Sequence, residues 1–206
     1  MTQPSLAISL DISQFFQEVV DDALRVRHVE ATDAAKTYLV GLLSEYAHPS
    51  EETGSTFNRP LTFVLHEAME ATGAERFRRL RGLGDHVLYA LGFFGGHLEQ
   101  KGVDRGYVVT VGTTAYHNAA AMFRQKAPKA QEPALVPCVL TELAARFERF
   151  AEVLRDVAEG TLACGARDQR SVVKLYERWL KTGSSRLAEE LGARGIIPSR
   201  GSGGIH

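Results

Sequence analysis

Two groups of residues in this 206-residue chain have types and spacing that suit chemistry. The first is His66-Glu67-Ala68-Met69-Glu70. A zinc hydrolase helix needs H-E-x-x-H, with two imidazoles one turn apart and the glutamate as base. Here Glu70 stands where the second imidazole is required. His66, Glu67 and Glu70 can still offer three donors to a metal, although an i, i+4 surface contact is the commoner use of such a pair. The second group runs from Gly84 to Gly96. It brings Asp85 and Tyr89 onto a helix that meets Gly92, Gly95 and Gly96, and Tyr116 and His117 follow on the next helix. Together these seven form a candidate small-ligand site. Asp85 and His86 diverge by about 100° on a helix and cannot form one dyad, whereas Asp85 and Tyr89 are one turn apart and can bond. The plainer alternative is a tight helix–helix corner, with glycines for close approach and Phe93 and Phe94 for core.

Cofactor chemistry has partial support. Heme needs one axial histidine and room for the macrocycle. His28 or His86 can ligate, and the glycines at 92–96 permit close backbone approach. The likeness to helical heme-oxygenase-like folds is one of architecture alone. A di-iron bundle needs carboxylates from two helices and Glu-x-x-His from two more. That spacing occurs once, at Glu45 and His48, just before Pro49.

Other activities lack their parts. Arg76, Arg78, Arg79 and Arg81 form a basic run that can meet phosphate, but no P-loop or aromatic platform accompanies it. The stretch SSRLAEELGARGII resembles the opening of a helix-turn-helix. A base-reading helix should follow it, and Pro198 with the glycines beyond cannot build one, so specific DNA binding is not expected. No G-x-S-x-G or Cys–His signature marks a nucleophile. Cys138 and Cys164 lie in no metal or redox pattern.

The elements that would position these residues are helical. Hydrophobic residues make up 44% and charged residues 24%, an ordinary globular balance. The net charge of −1 provides no global pull toward nucleic acid or anionic lipid. Residues 1–60 hold nine acids against four bases, and residues 61–206 hold sixteen against twenty, so the two parts differ in sign. The start lacks the basic and apolar regions of a signal peptide, and no apolar run approaches the ~20 residues of a membrane span. A cytoplasmic location is the default expectation.

Helical spacing marks a first helix through Ile12, Phe16, Val20 and Leu24, capped by Asp11 or Ser13. A second carries Tyr38, Leu39, Leu42 and Tyr46 after Thr32 or Asp33. Residues 49–59 read as a loop. Helices over 61–72 and from 74 to about 91 follow, and GFFGG at 92–96 predicts a break or kink. Asp104 caps a helix toward Arg124, with a β-branched run at Val108–Thr110 that leaves a strand open. Residues 126–137 read as a connector, 138–159 as one long helix, then 168–181 and a short helix capped by Ser184 or Ser185. The expected fold is all-α, a single-domain bundle of seven or eight helices over 1–198, with a disordered tail at 199–206.

Two stretches, RLRGLGDHVLYALGFFGGHLEQKGVDRGYVVTVGTTAYHNAA and VVKLYERWLKTGSSRLAEELGARGIIP, resemble segments of a family of helical bacterial proteins of similar length that has no assigned function. The resemblance covers most of 75–198. It implies a bacterial, cytosolic, self-contained protein and carries over no catalytic residues. The sequence as a whole favours a non-enzymatic interaction or regulatory module that forms a homodimer. The alternative is a metal- or heme-binding helical enzyme or sensor.

Overall fold

The computed structural model describes residues 4–47, 59–126, 135–165 and 169–199. Among them the chain forms nine helices and no strand. These are α1 (Pro4–Val26), α2 (Asp33–Tyr46), α3 (Leu61–Glu70), α4 (Gly73–Gln100), α5 (Arg105–Lys126), α6 (Leu135–Ala145), α7 (Phe147–Gly165), α8 (Gln169–Thr182) and α9 (Ser185–Ala193). The all-α expectation holds, and the count exceeds the seven or eight expected. The extra helix comes from 138–159, which divides at Arg146 into α6 and α7. Val108–Thr110 lies inside α5, so the β-branched run there is helical. The predicted loop at 49–59, most of the connector at 126–137, the tail beyond 199 and the Glu45–His48 pairing fall wholly or partly outside the described residues.

The chain divides into two compact units, Met1–Leu154 and Arg155–His206. In the first, α4 packs chiefly on α5, and α5 on α6. The reason is visible in the residues. Leu80, Val87, Leu88 and Leu91 of α4 are buried, and α5 faces them with Val108, Val111, Ala115 and Ala119. Burying each large aliphatic side chain stabilises the fold by about 1.5–3 kcal/mol. Small residues on α5 let the axes approach. A Cβ on Gly112 would stand 2.2 Å from Cζ of Phe147, so that ring fills the space glycine leaves.

The predicted break at 92–96 is absent: α4 continues unbroken to Gln100. Its stop comes later, at Gly102, which takes φ +73. The Val103 amide then bonds back to the Leu98 carbonyl at 3.0 Å, closing the last turn. The same closure ends α1 with a non-glycine residue. His28 holds φ 52, and the Val29 amide reaches the Leu24 carbonyl at 3.0 Å.

Helix starts use several devices. The Asp104 carboxylate accepts from the Tyr107 amide at 2.6 Å, as the sequence predicts. Thr32 caps α2 by accepting from the Ala35 amide at 3.2 Å. Its own hydroxyl and amide donate to the two carboxylate oxygens of Glu142 on α6, at 2.5 and 3.1 Å. Pro60 offers α3 no side-chain cap, and the Tyr107 hydroxyl instead accepts from the Thr62 amide at 3.0 Å. α1 begins at Pro4, before the expected caps Asp11 and Ser13, because proline suits a first helical turn.

In the second unit, α8 and α9 form a hairpin around Leu175, Trp179, Leu187 and Leu191. Ser184 caps α9 through the Leu187 amide at 3.4 Å. Its hydroxyl donates to Glu159 at 2.5 Å, and that carboxylate is 1% exposed.

Candidate functional site

The described residues bring one strongly interacting polar cluster into the interior of the first unit. It centres on Asp85, which is 7% exposed. Asp85 sits mid-helix on α4, on the face turned toward α2 and α5. Its Oδ1 accepts from the Tyr38 hydroxyl of α2 at 2.5 Å and from the Tyr116 hydroxyl of α5 at 2.7 Å. Its Oδ2 lies 3.4 Å from Nε of Arg81, one turn earlier on α4. That same Nε donates to the Tyr38 hydroxyl at 3.0 Å, and the guanidinium carbon rests 5.3 Å from the centre of the Tyr38 ring. Three helices therefore meet on one carboxylate, and each donor is supplied from within the chain.

The electrostatics follow from this burial. Loss of water pushes the Asp85 carboxyl up, against the Tyr38 and Tyr116 hydrogen bonds and the Arg81 charge, while Glu45 adds to the rise. Burial, and then the Asp85 charge, push the Tyr38 and Tyr116 phenols up. Burial also works against the Arg81 charge, but Tyr38 and Asp85 outweigh it and keep that guanidinium protonated.

Beside this cluster lies an aromatic tier. The Tyr46 ring stacks on Tyr89 at 4.3 Å, and Tyr89 on Phe93 at 4.5 Å. Phe94 meets Tyr89 edge-on at 5.9 Å and is 51% exposed. His86 reaches the Tyr46 hydroxyl through Nδ1 at 3.4 Å, and burial pulls its imidazole down toward the neutral form.

The residues singled out from sequence separate into three fates. Asp85 and Tyr116 do meet. Tyr89 is adjacent but stacks on Tyr46 and Phe93, and the hydroxyls that bond to Asp85 are those of Tyr38 and Tyr116, both on Oδ1. Gly92 packs against Leu154, where a Cβ would stand 2.5 Å away, and Gly95 is buried. Gly96 faces open space, and His117 is exposed. In the other candidate group, His66 Nδ1 faces Glu70 at 3.6 Å with both side chains largely exposed. Glu67 turns away to Arg59 in a two-point ion pair at 2.5 and 3.2 Å. Among the described residues, no three His, Cys, Asp or Glu side chains gather into a metal set. His28, the other proposed heme ligand, is an exposed helix stop.

Sequence reasoning missed Tyr38, Tyr46 and Arg81 as members. Both tyrosines lie on the apolar stripe of α2, and Arg81 was one of four arginines in a run. The signal available was a phenol on a buried face, because a buried hydroxyl must find a partner.

No family model matches the chain, and no curated protein or solved structure matches it either.

Proposed function

We propose that residues 1–198 work as a non-enzymatic helical interaction module, and that its partner is a second copy of the chain. The observation that carries this reading is the aromatic tier of Tyr46, Tyr89, Phe93 and Phe94, whose outer member Phe94 is 51% exposed on α4. A two-fold interface pairs one patch with itself, and stacked rings from α2 and α4 that end at an exposed Phe94 supply an apolar patch for such a pairing. At 28 residues, α4 is about 40 Å long, enough to carry a standard interface. The buried carboxylate of Asp85 holds two phenol donors on Oδ1 and Arg81 beside Oδ2, all from within the chain, which supports a structural use for it.

The test is light scattering coupled to size exclusion at micromolar concentration. The expected mass is twice the 22.6 kDa of the chain, falling to 22.6 kDa in Phe94→Asp. A wild-type protein at 22.6 kDa across the concentration range overturns the reading.

A further inference from the structure

The dimer reading makes no use of the groove between α1 and α2, which holds a cavity of about 240 Å³. Its walls follow from helical spacing. Asp33, Lys36, Thr37 and Val40 recur at i, i+3, i+4 and i+7 and share one face of α2. Across from them, α1 presents Val20 and Asp21. Val20 is fully buried and, with Val40, supplies an apolar wall. The charged groups alternate in sign. The Lys36 ammonium stands between two carboxylates, 3.3 Å from Oδ1 of Asp21 and 4.0 Å from Oδ1 of Asp33. The Thr37 hydroxyl donates to the Asp33 carbonyl at 2.9 Å, which leaves its oxygen as a further acceptor. Each of the three charged side chains is at least 38% exposed, so the internal ion pairs contribute little and a ligand can displace them at small cost.

We propose that this cavity binds a free basic amino acid. Charge matching carries the choice of ligand. The lining offers two carboxylates and one ammonium, and a basic amino acid offers two cationic groups and one carboxylate. Its carboxylate meets Lys36, its two cations meet Asp21 and Asp33, and its aliphatic stem lies along Val20 and Val40. A neutral amino acid leaves one of the two carboxylates uncompensated. A diamine meets both carboxylates but brings nothing to Lys36 and repels it. Size points the same way: cavities for drug-sized ligands run from about 300 to 1,000 Å³, so this one suits a smaller molecule. The site lies apart from the aromatic tier and does not depend on the dimer.

The experiment is an amide NMR titration of the full chain at low salt with L-lysine, L-leucine and cadaverine, which is lysine without its carboxylate. L-lysine should give saturable shifts around Val20, Asp21 and Asp33–Val40, with a Kd on the order of 1 mM for so small a ligand. L-leucine and cadaverine should each bind roughly three- to fivefold more weakly, since each lacks one ionic contact at an exposed site. Asp21→Asn should weaken L-lysine by a similar factor. Lys36→Met gives the sharpest reading. It removes the partner of the ligand carboxylate and frees both aspartates, so cadaverine should gain affinity and the preference for L-lysine over cadaverine should vanish. All these changes lie on exposed side chains, and helical dichroism checks that the fold is kept. Three results overturn the proposal. One is the absence of saturable shifts from L-lysine well above 1 mM, the order of affinity expected. Another is cadaverine binding the wild type as tightly as L-lysine. The third is a preference for L-lysine that survives in Lys36→Met.

Discussion

Gly84 and the ring of Tyr116 compete for one space: a Cβ on Gly84 would lie 2.6 Å from Cδ1 and Cε1 of that ring. The glycine therefore sets where Tyr116 can lie, and Tyr116 in turn reaches Asp85. Gly84→Ala should cost about 1–3 kcal/mol by overpacking, and more if the hydroxyl leaves Asp85. Urea unfolding measures this. In a Tyr116→Ala background the same substitution should cost far less, because the clash has gone. Equal costs in both backgrounds would separate Gly84 from Tyr116.

The glycines of 92–96 should respond in opposite directions. A Cβ at Gly92 meets Leu154 Cβ at 2.5 Å and its carbonyl carbon at 3.2 Å, so Gly92→Ala must displace backbone. Gly96 has nothing within 4 Å of that position. Gly96→Ala should stabilise by about 0.5–1 kcal/mol through helix propensity alone, while Gly92→Ala should destabilise by about 1–3 kcal/mol. Thermal melts of the two variants give the signs directly.

High pH should unfold the protein through its tyrosines. Burial raises Tyr38, Tyr46 and Tyr116 above their ordinary value in the folded state. Unfolded tyrosines ionise near 10, so above that pH the folded chain binds more protons than the unfolded one. Their contribution is fully present below about pH 10 and is lost as pH rises further. Tyrosinate absorbance and helical dichroism should change together in an alkaline titration. Ionisation of these three rings with the helices intact would contradict the burial.

His28 holds a left-handed backbone at φ 52, where a side chain costs energy and glycine does not. His28→Gly should stabilise the end of α1 by up to about 1 kcal/mol, less the entropy glycine adds to the unfolded chain. A shift of the melting temperature downward would show that the imidazole makes a contact worth more than the strain.

Helix identity was legible because it rests on local periodicity. Leu80, Val87, Leu88 and Leu91 repeat at helical spacing and are all buried. Thr32, Asp104 and Ser184 were legible as caps for the same local reason. The glycines at 92–96 misled because propensity treats each as a breaker, whereas packing against Leu154 makes Gly92 a close-contact residue inside a helix. The true stop, Gly102, is identified only by its positive φ and the bond from Val103 to Leu98. Asp85 and Tyr116 could be nominated from one helix and its successor. Tyr38 could not, since its 47-residue separation from Asp85 is closed only by tertiary packing.

The cap of α2 has a consequence for the order in which the chain assembles. Thr32 is completed by Glu142, 110 positions further along, and Ser184 by Glu159, 25 positions back. During synthesis from the N-terminus, the partner of Ser184 is already made when that turn emerges. The partner of Thr32 is not. α2 must therefore exist for a time with its first turn tied only locally, and it is fastened when α6 arrives and closes a long loop. The front of α2 is a late-closing seam, and the residue that closes it is Glu142.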